Sequence, residues 1–223
     1  MVQTENLEFF EACANGNLEA VNKALEAGAD VNYCNGDGRS ALARAAKRGY
    51  DKIVERLIEC GANVNIRNKD NDTALMAAAK HGHRYICELL VKAGAAVNDH
   101  DNEGRTALMR AAFLGEYEVV EYLLQAGAKI DEADEKGRTA LMEAVLAYKV
   151  DVFHYLLKAG ADINKQDNEG CTCLMRASYG GFTDLVAYLL NKGADKEVVD
   201  NHGNKAFNYL REGVKGEIVD LLK

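Results

Sequence analysis

The dipeptide Gly-Ala recurs at Gly28-Ala29, Gly61-Ala62, Gly94-Ala95, Gly127-Ala128, Gly160-Ala161 and Gly193-Ala194, every step being 33 residues with no insertion. Two further series keep the same phase: Gly38, Asn71, Gly104, Gly137, Gly170 and Gly203, and Gly16, Gly49, Gly82, Gly115, Tyr148 and Gly181. A fixed period of this length marks a chain built from stacked supersecondary units rather than one closed globule.

Residues 104–136 show what one period encodes. Thr106-Ala-Leu-Met-Arg-Ala-Ala-Phe113 reads as a short helix with Thr106 at its N-cap. Gly115 stops it, because glycine enters the left-handed region at little cost. Glu118 to Gln125 reads as a second helix, with Val119, Val120, Leu123 and Leu124 at amphipathic spacing. Gly127 ends that helix, and Lys129 to Gly137 forms an exposed turn into the next unit. Helices of this length are marginal alone in water, so each must bury its apolar face on its neighbours.

Composition supports one uninterrupted array. The chain has 223 residues, no Pro, and Ser only at Ser40 and Ser178, so nothing resembles a Pro/Ser-rich linker, and residues 1–223 read as a single domain. Apolar residues make up 48%, enough for a sizeable core. Net charge is −8 and the pI near 5.2, which argues against a broad nucleic-acid or anionic-membrane surface. No apolar run is long enough for a bilayer span, and the N-terminal stretch lacks a basic segment followed by an apolar one. The expected compartment is therefore the cytoplasm or the nucleus. Cys13, Cys34, Cys60, Cys87, Cys171 and Cys173 follow no disulfide framework and are expected to be reduced.

The unit G-x-T-A-L-x-x-A followed by V-x-x-L-L-x-x-G-A-x-V-N resembles the ankyrin repeat, which has the same period. The likeness covers about seven units: a capping 5–37, then 38–70, 71–103, 104–136, 137–169, 170–202 and a shortened capping 203–223. It implies an all-α, ankyrin-repeat solenoid of helix-turn-helix units with protruding turns. One departure is systematic. The family's Thr-Pro-Leu-His is Ser40-Ala-Leu-Ala43, Thr73-Ala-Leu-Met76, Thr106-Ala-Leu-Met109, Thr139-Ala-Leu-Met142 and Thr172-Cys-Leu-Met175. Ala is a good helix former at this position, and the Met series is expected to pack between units. Asn32, Asn65, Asn98 and Asn164 are expected to hydrogen-bond turn backbone. At the C-terminal end, Lys205, Asn208, Arg211, Glu212 and Lys215 are expected to solvate an exposed cap.

Catalytic and metal chemistry find little footing. No P-loop, dinucleotide glycine fingerprint or nucleophile elbow occurs. His81 and His83 flank Gly82 and are read as turn residues, since that spacing puts two ligands on different faces. Cys173 is read as packing and Cys171 as an exposed thiol. No cofactor, metal or enzymatic activity is expected.

The resemblance implies binding of another protein on a concave face made by the turn tips and the exposed side of each first helix. Carried over by phase, units two and three present Arg39, Arg44, Lys47, Arg48, Lys80 and His81 there. Units four to six present Phe113, Leu114, Leu146, Tyr148 and Tyr179, rimmed by Arg105, Arg110, Arg138 and Arg176. Glu143 and Ala77 share the mid-helix exposed position with Arg44, Arg110 and Arg176. Exposed apolar patches mark interaction sites, and Tyr and Arg tend to dominate interface energy. The expected partner is a protein or peptide with an apolar anchor and an acidic flank, bound by a monomer. A self-associating scaffold and a regulator of an enzyme partner are the alternatives. Tyr148 stands at a turn-glycine position, where a left-handed residue costs on the order of 1 kcal/mol. A local distortion there, with a notch at Gly180, is expected.

Overall fold

The computed structural model describes residues 2–211 and 216–223, with side chains from Thr4 onward. Glu212 and Lys215 of the expected end cap lie outside the described residues. Helices come in pairs, one pair per period. They are α1 Val2–Asn15 with α2 Leu18–Glu26, α3 Ala41–Arg48 with α4 Asp51–Glu59, and α5 Ala74–Lys80 with α6 Arg84–Lys92. Then follow α7 Ala107–Leu114 with α8 Tyr117–Gln125, α9 Ala140–Leu146 with α10 Val150–Lys158, and α11 Cys173–Gly180 with α12 Thr183–Asn191. A 3-10 turn, Ala206–Tyr209, and α13 Glu217–Leu222 close the chain. Among the described residues there is no strand, only the isolated bridges Cys34–Ser40 and His100–Thr106.

Contacts divide the chain into two compact units, Met1–Ala111 with Glu118–Ala128, and Ala112–Tyr117 with Lys129–Lys223. Each has the same internal logic. In the first unit α3 packs on both α1 and α5, and in the second α11 packs on α9, α12 and the 3-10 turn. First helices are rich in buried alanine (Ala41, Ala43, Ala45 and Ala46 in α3), which lets helix backbones approach closely. Second helices supply the bulk: Ile53, Val54 and Leu57 in α4, and Val152, Phe153 and Leu156 in α10. Each fully buried large side chain contributes about 1.5–3 kcal/mol, which the short helices could not gain singly. Met76, Met109, Met142 and Met175 are all buried, as their spacing leads one to expect.

Polar groups fix the register. Ser40, Thr73, Thr106, Thr139 and Thr172 each accept the backbone N–H three residues on, at 3.1–3.4 Å, capping five first helices. The Asn series does more than stabilise its own turn. Asn32 accepts the Asn63 N–H, Asn65 accepts that of Ala96 and donates to the Gly94 carbonyl, and Asn164 accepts that of Asp195. Each thus ties one repeat to the next, as does Asp131, which accepts the Asp162 N–H. The turn tips are linked as well: the N–H of Lys69, Asn102, Asn168 and Asn201 donates to the carbonyl of Asp37, Asp70, Lys136 and Glu169 respectively, all at 3.0 Å.

Tyr148 breaks the glycine rule without the expected distortion. It keeps the left-handed conformation of the glycines it replaces, at φ 53° against 77° for Gly49. At Gly16, Gly49 and Gly115 a side chain of the following repeat occupies the space that a Cβ would need. A Cβ on Gly49 would lie 2.6 Å from the His83 ring. At Tyr148 the corresponding residue, Phe182, instead stacks on the tyrosine ring (centroids 4.5 Å apart), and Tyr148 Oη donates to Asp184 at 2.7 Å. The expected notch at Gly180 is filled by the same Phe182 ring, whose atoms approach within 2.4 Å of where a Cβ would sit.

Candidate functional site

The entry to each first helix is organised by one side chain that repeats every 33 residues: Asn35, Asn68, Asp101, Asp134, Asp167 and Asp200. Each accepts the backbone N–H groups two and four residues on, at 2.8–3.1 Å. This is the Asx turn, in which a short polar side chain imitates backbone. The same side chain then decides what the neighbouring cations do. Positions four and nine further along face it, and there lie most of the arginines expected to form the binding surface.

Where the turn residue is Asp, those arginines are held by carboxylates of the chain itself. Asp101 takes Arg105 at 2.9 Å and Arg110 at 2.5 Å, and Arg110 also reaches Asp72. Burial opposes ionisation of Asp101, but the N–H groups of Arg105 and Glu103 and the two guanidiniums outweigh it and hold its carboxyl below the usual range. Asp134 takes Arg138 at 2.7 Å, which also pairs with Glu143 at 3.1 Å, and Asp167 takes Arg176. Glu143, expected to be exposed, is therefore buried at 6% because it shares Arg138 with Asp134. In the last repeat Asp200 is bound instead by Tyr209 Oη at 2.6 Å and by Asn204. The Tyr209 hydroxyl is the main cause holding the Asp200 carboxyl far below its ordinary value.

At Asn35 the neighbouring cations have no carboxylate partner. Among the described residues no ion pair involves Arg39, Arg44, Lys47, Arg48 or Lys80; the buried Nε of Arg44 lacks an acceptor, as do those of Arg110 and Arg176. Arg39, Lys47, Lys80 and His81 line a cleft of about 150 Å³ in the first unit, closed on one side by Asp72 and Arg110. Burial and then the charges of Arg39, Arg44, Lys80 and Arg48 push the Lys47 ammonium down. Burial and then Lys47, His83, Lys80 and Arg48 do the same to His81. His81 is an exposed turn residue, while His83 sits partly covered, its Nε2 3.2 Å from the Lys47 carbonyl.

The second unit carries the apolar half of the expected surface. Phe113, Leu146, Tyr148 and Tyr179 are all exposed, Tyr179 at 54%, with the Arg211 guanidinium 4.3 Å above its ring. Leu114 is only half-buried rather than open. Cys171 corrects the sequence reading more sharply. It is 3% exposed, because Tyr209, 38 residues away, covers it with Oη 2.9 Å from Sγ. Burial raises its thiol pKa, as it does those of Cys13, Cys87 and Cys173, each pushed up to about 12. All six cysteines are free. Ligand atoms of Asp167, Glu169 and Cys171 lie within 4.8 Å of one another. A cation there would have to displace Arg176 from Asp167, so the donor set does not suit a metal.

Sequence reasoning also passed over a cleft of about 820 Å³ on the second helices of the second unit, lined by Tyr117, His154, Tyr155, Tyr188, Lys158 and Lys192. The His154 and Tyr188 rings lie 4.2 Å apart, and Tyr117 meets Tyr155 edge-on at 5.1 Å. The signal was present, since Tyr122, Tyr155 and Tyr188 keep the 33-residue spacing.

A family model for ankyrin repeats (three copies) matches residues 9–101, 44–134, 93–167 and 126–200 in overlapping frames. The chain belongs to the ankyrin-repeat family. The crystal structure of the human ASB11 ankyrin repeat domain superposes with a TM-score of 0.87 at 25% identity, over 96% of this chain and 95% of that one. The ankyrin repeat domain of Bcl-3, described as a unique member of the IkappaB protein family, gives 0.83 at 27% identity, over 96% and 97%. A search of curated proteins returns no significant match. Ankyrin repeats are generally protein-interaction modules and generally not enzymes. Among the described residues of this ankyrin chain no helix is long and apolar enough to cross a membrane.

Proposed function

We propose that this chain is a non-catalytic adaptor whose repeats act as one domain and bind a partner protein through the first helices and turn tips. The observation that carries the reading is the pair of unspent surfaces at equivalent repeat positions. Phe113, Leu146, Tyr148 and Tyr179 expose apolar area in the second unit, and Arg39, Arg44, Lys47, Arg48 and Lys80 stand without carboxylates in the first. A partner with an apolar anchor and acidic residues answers both, the charges steering encounter and the aromatic side chains supplying interface energy. Arg105, Arg110, Arg138 and Arg176 act as struts behind this surface. Six free cysteines fit a reducing compartment, the cytosol or nucleus.

The test replaces Phe113, Tyr148 and Tyr179 together with Ala, confirms helicity by circular dichroism, and compares captured lysate proteins by mass spectrometry. The reading expects specific partners to disappear, and an unchanged set removes the apolar patch from the interface. Light scattering gives the oligomeric state, for which the reading expects a monomer.

A further inference from the structure

The second repeat departs from its siblings in a way that folding does not require. Asn35 makes the same two backbone hydrogen bonds as Asp101, so the turn itself does not depend on which residue is used. Yet Arg39 and Arg44 occupy the positions of Arg105 and Arg110, and the carboxylate that holds that second pair is missing. Lys47 and Arg48 follow at the end of α3, and Lys80 and His81 at the end of α5. The group is thus assembled from two adjacent repeats of one compact unit and repels itself, with burial and four neighbouring cations acting on Lys47. An uncompensated cluster of this kind gains most from an anion that several donors can share.

We propose that the Arg39–Lys47–Lys80 cluster lining the first-unit cleft holds the phosphoryl group of a phosphorylated side chain on the partner; this deepens the reading above and rests on it. A phosphoryl group brings a charge of about −1.5 to −2 and three strong acceptor oxygens, whereas a carboxylate brings one charge. Guanidinium forks match phosphate oxygens bidentately, and the Arg39 fork lines the cleft without a carboxylate, beside the ammonium groups of Lys47 and Lys80. Scale points the same way. A cleft of about 150 Å³ is well below that of sites for drug-sized ligands, roughly 300–1,000 Å³, so it suits one small anion and its stem rather than a nucleotide. The surrounding charge matters too. A chain of net charge −8 is repelled by extended polyanions such as nucleic acid or anionic bilayers, while a single phosphorylated residue needs only the local cluster.

The experiment uses the full chain and a degenerate peptide library with a fixed central phosphoserine, alongside the same library with serine and with glutamate. Retention of the phosphoserine library is expected to exceed that of the serine library by about tenfold or more, and that of the glutamate library several-fold, about 1.4 kcal/mol per tenfold step. Inorganic phosphate at millimolar concentration should compete and should raise the melting temperature. Two variants keep the result interpretable. Arg39→Gln should lose the phosphoserine preference. Asn35→Asp should supply the missing carboxylate, losing both the preference and the phosphate-dependent shift while melting higher than the parent without phosphate. Equal retention of phosphoserine and glutamate libraries, or a phosphate response that survives Asn35→Asp, would overturn the proposal. So would stronger retention on phosphatidylserine vesicles or on RNA. The failures are separable: the Phe113, Tyr148 and Tyr179 triple variant should keep the phosphate response, so loss of partner capture with that response intact indicts the apolar surface alone.

Discussion

The turns that lead into the second and fourth repeats of this chain carry Asn35 and Asp101 at the same position, and the arginines four and nine residues on lead opposite lives. In the fourth, Asp101 draws Arg105 and Arg110 into an ion-pair network around its own buried carboxylate, and Asp72 of the third repeat completes it. In the second, Asn35 keeps the turn but leaves Arg39 and Arg44 facing other cations. The helix starts do not separate the two, since both begin with a hydroxyl cap, and Ala41, Ala45 and Ala46 are buried like Ala107, Ala111 and Ala112. Framework and surface are therefore set by different atoms of one residue. The oxygen that accepts backbone N–H groups builds the repeat, and the second side-chain atom decides whether nearby charge is spent inside the chain or left for something outside it.

The contrast can be broken most forcefully in the sixth repeat. Arg176→Gln leaves Asp167, whose side chain is 1% exposed, without its cation, and should cost about 3 kcal/mol in urea unfolding, whereas Arg44→Gln should cost close to nothing. Comparable losses from both would show that the two repeats do not differ as described. Asn35→Asp should gain about 1.5 kcal/mol in the same assay, the lower end of the scale for a hydrogen bond to a charged group, and a loss would mean that Arg39 and Arg44 cannot reach the new carboxylate.

Acid titration sharpens the comparison further. The folded pKa of Asp101 lies below its unfolded value near 3.9, so its ionised form favours folding. That contribution is fully present above about pH 4 and is lost as pH falls through the folded value. Asp200 behaves alike. Asp101→Asn should therefore flatten the acid limb of the stability curve, and an unaltered limb would remove Asp101 from the linkage. The smallest effect is expected at Lys47→Gln. Relief of like-charge repulsion should stabilise the chain by about 0.2–0.5 kcal/mol, seen as a slight rise in melting temperature that added salt abolishes.

Much of this was legible in the sequence, because the period, the Thr caps and the buried Met series depend only on residues within one repeat or its neighbour. The face assigned to Phe113, Leu146, Tyr148 and Tyr179 follows from phase alone, and all four are exposed. What escaped was pairing at offsets of four and nine. Arg105, Arg110, Arg138 and Arg176 read as surface cations until the Asp at the head of each turn is seen to face them. Glu143 was misplaced for the same reason. Cys171 was misread because its cover, Tyr209, arrives from the following repeat, and no local pattern announces that. Tyr148 looked like a strained exception because the aromatic ring that accommodates it, Phe182, lies 34 residues on.

The tyrosine lid over Cys171 has a practical corollary. Trimming or proteolysis upstream of Tyr209 would strip the sulfur of its shelter and leave Asp200 without its hydroxyl donor. The speed at which iodoacetamide alkylates that one thiol would then serve as a built-in gauge of how often the last turn frays in the intact chain.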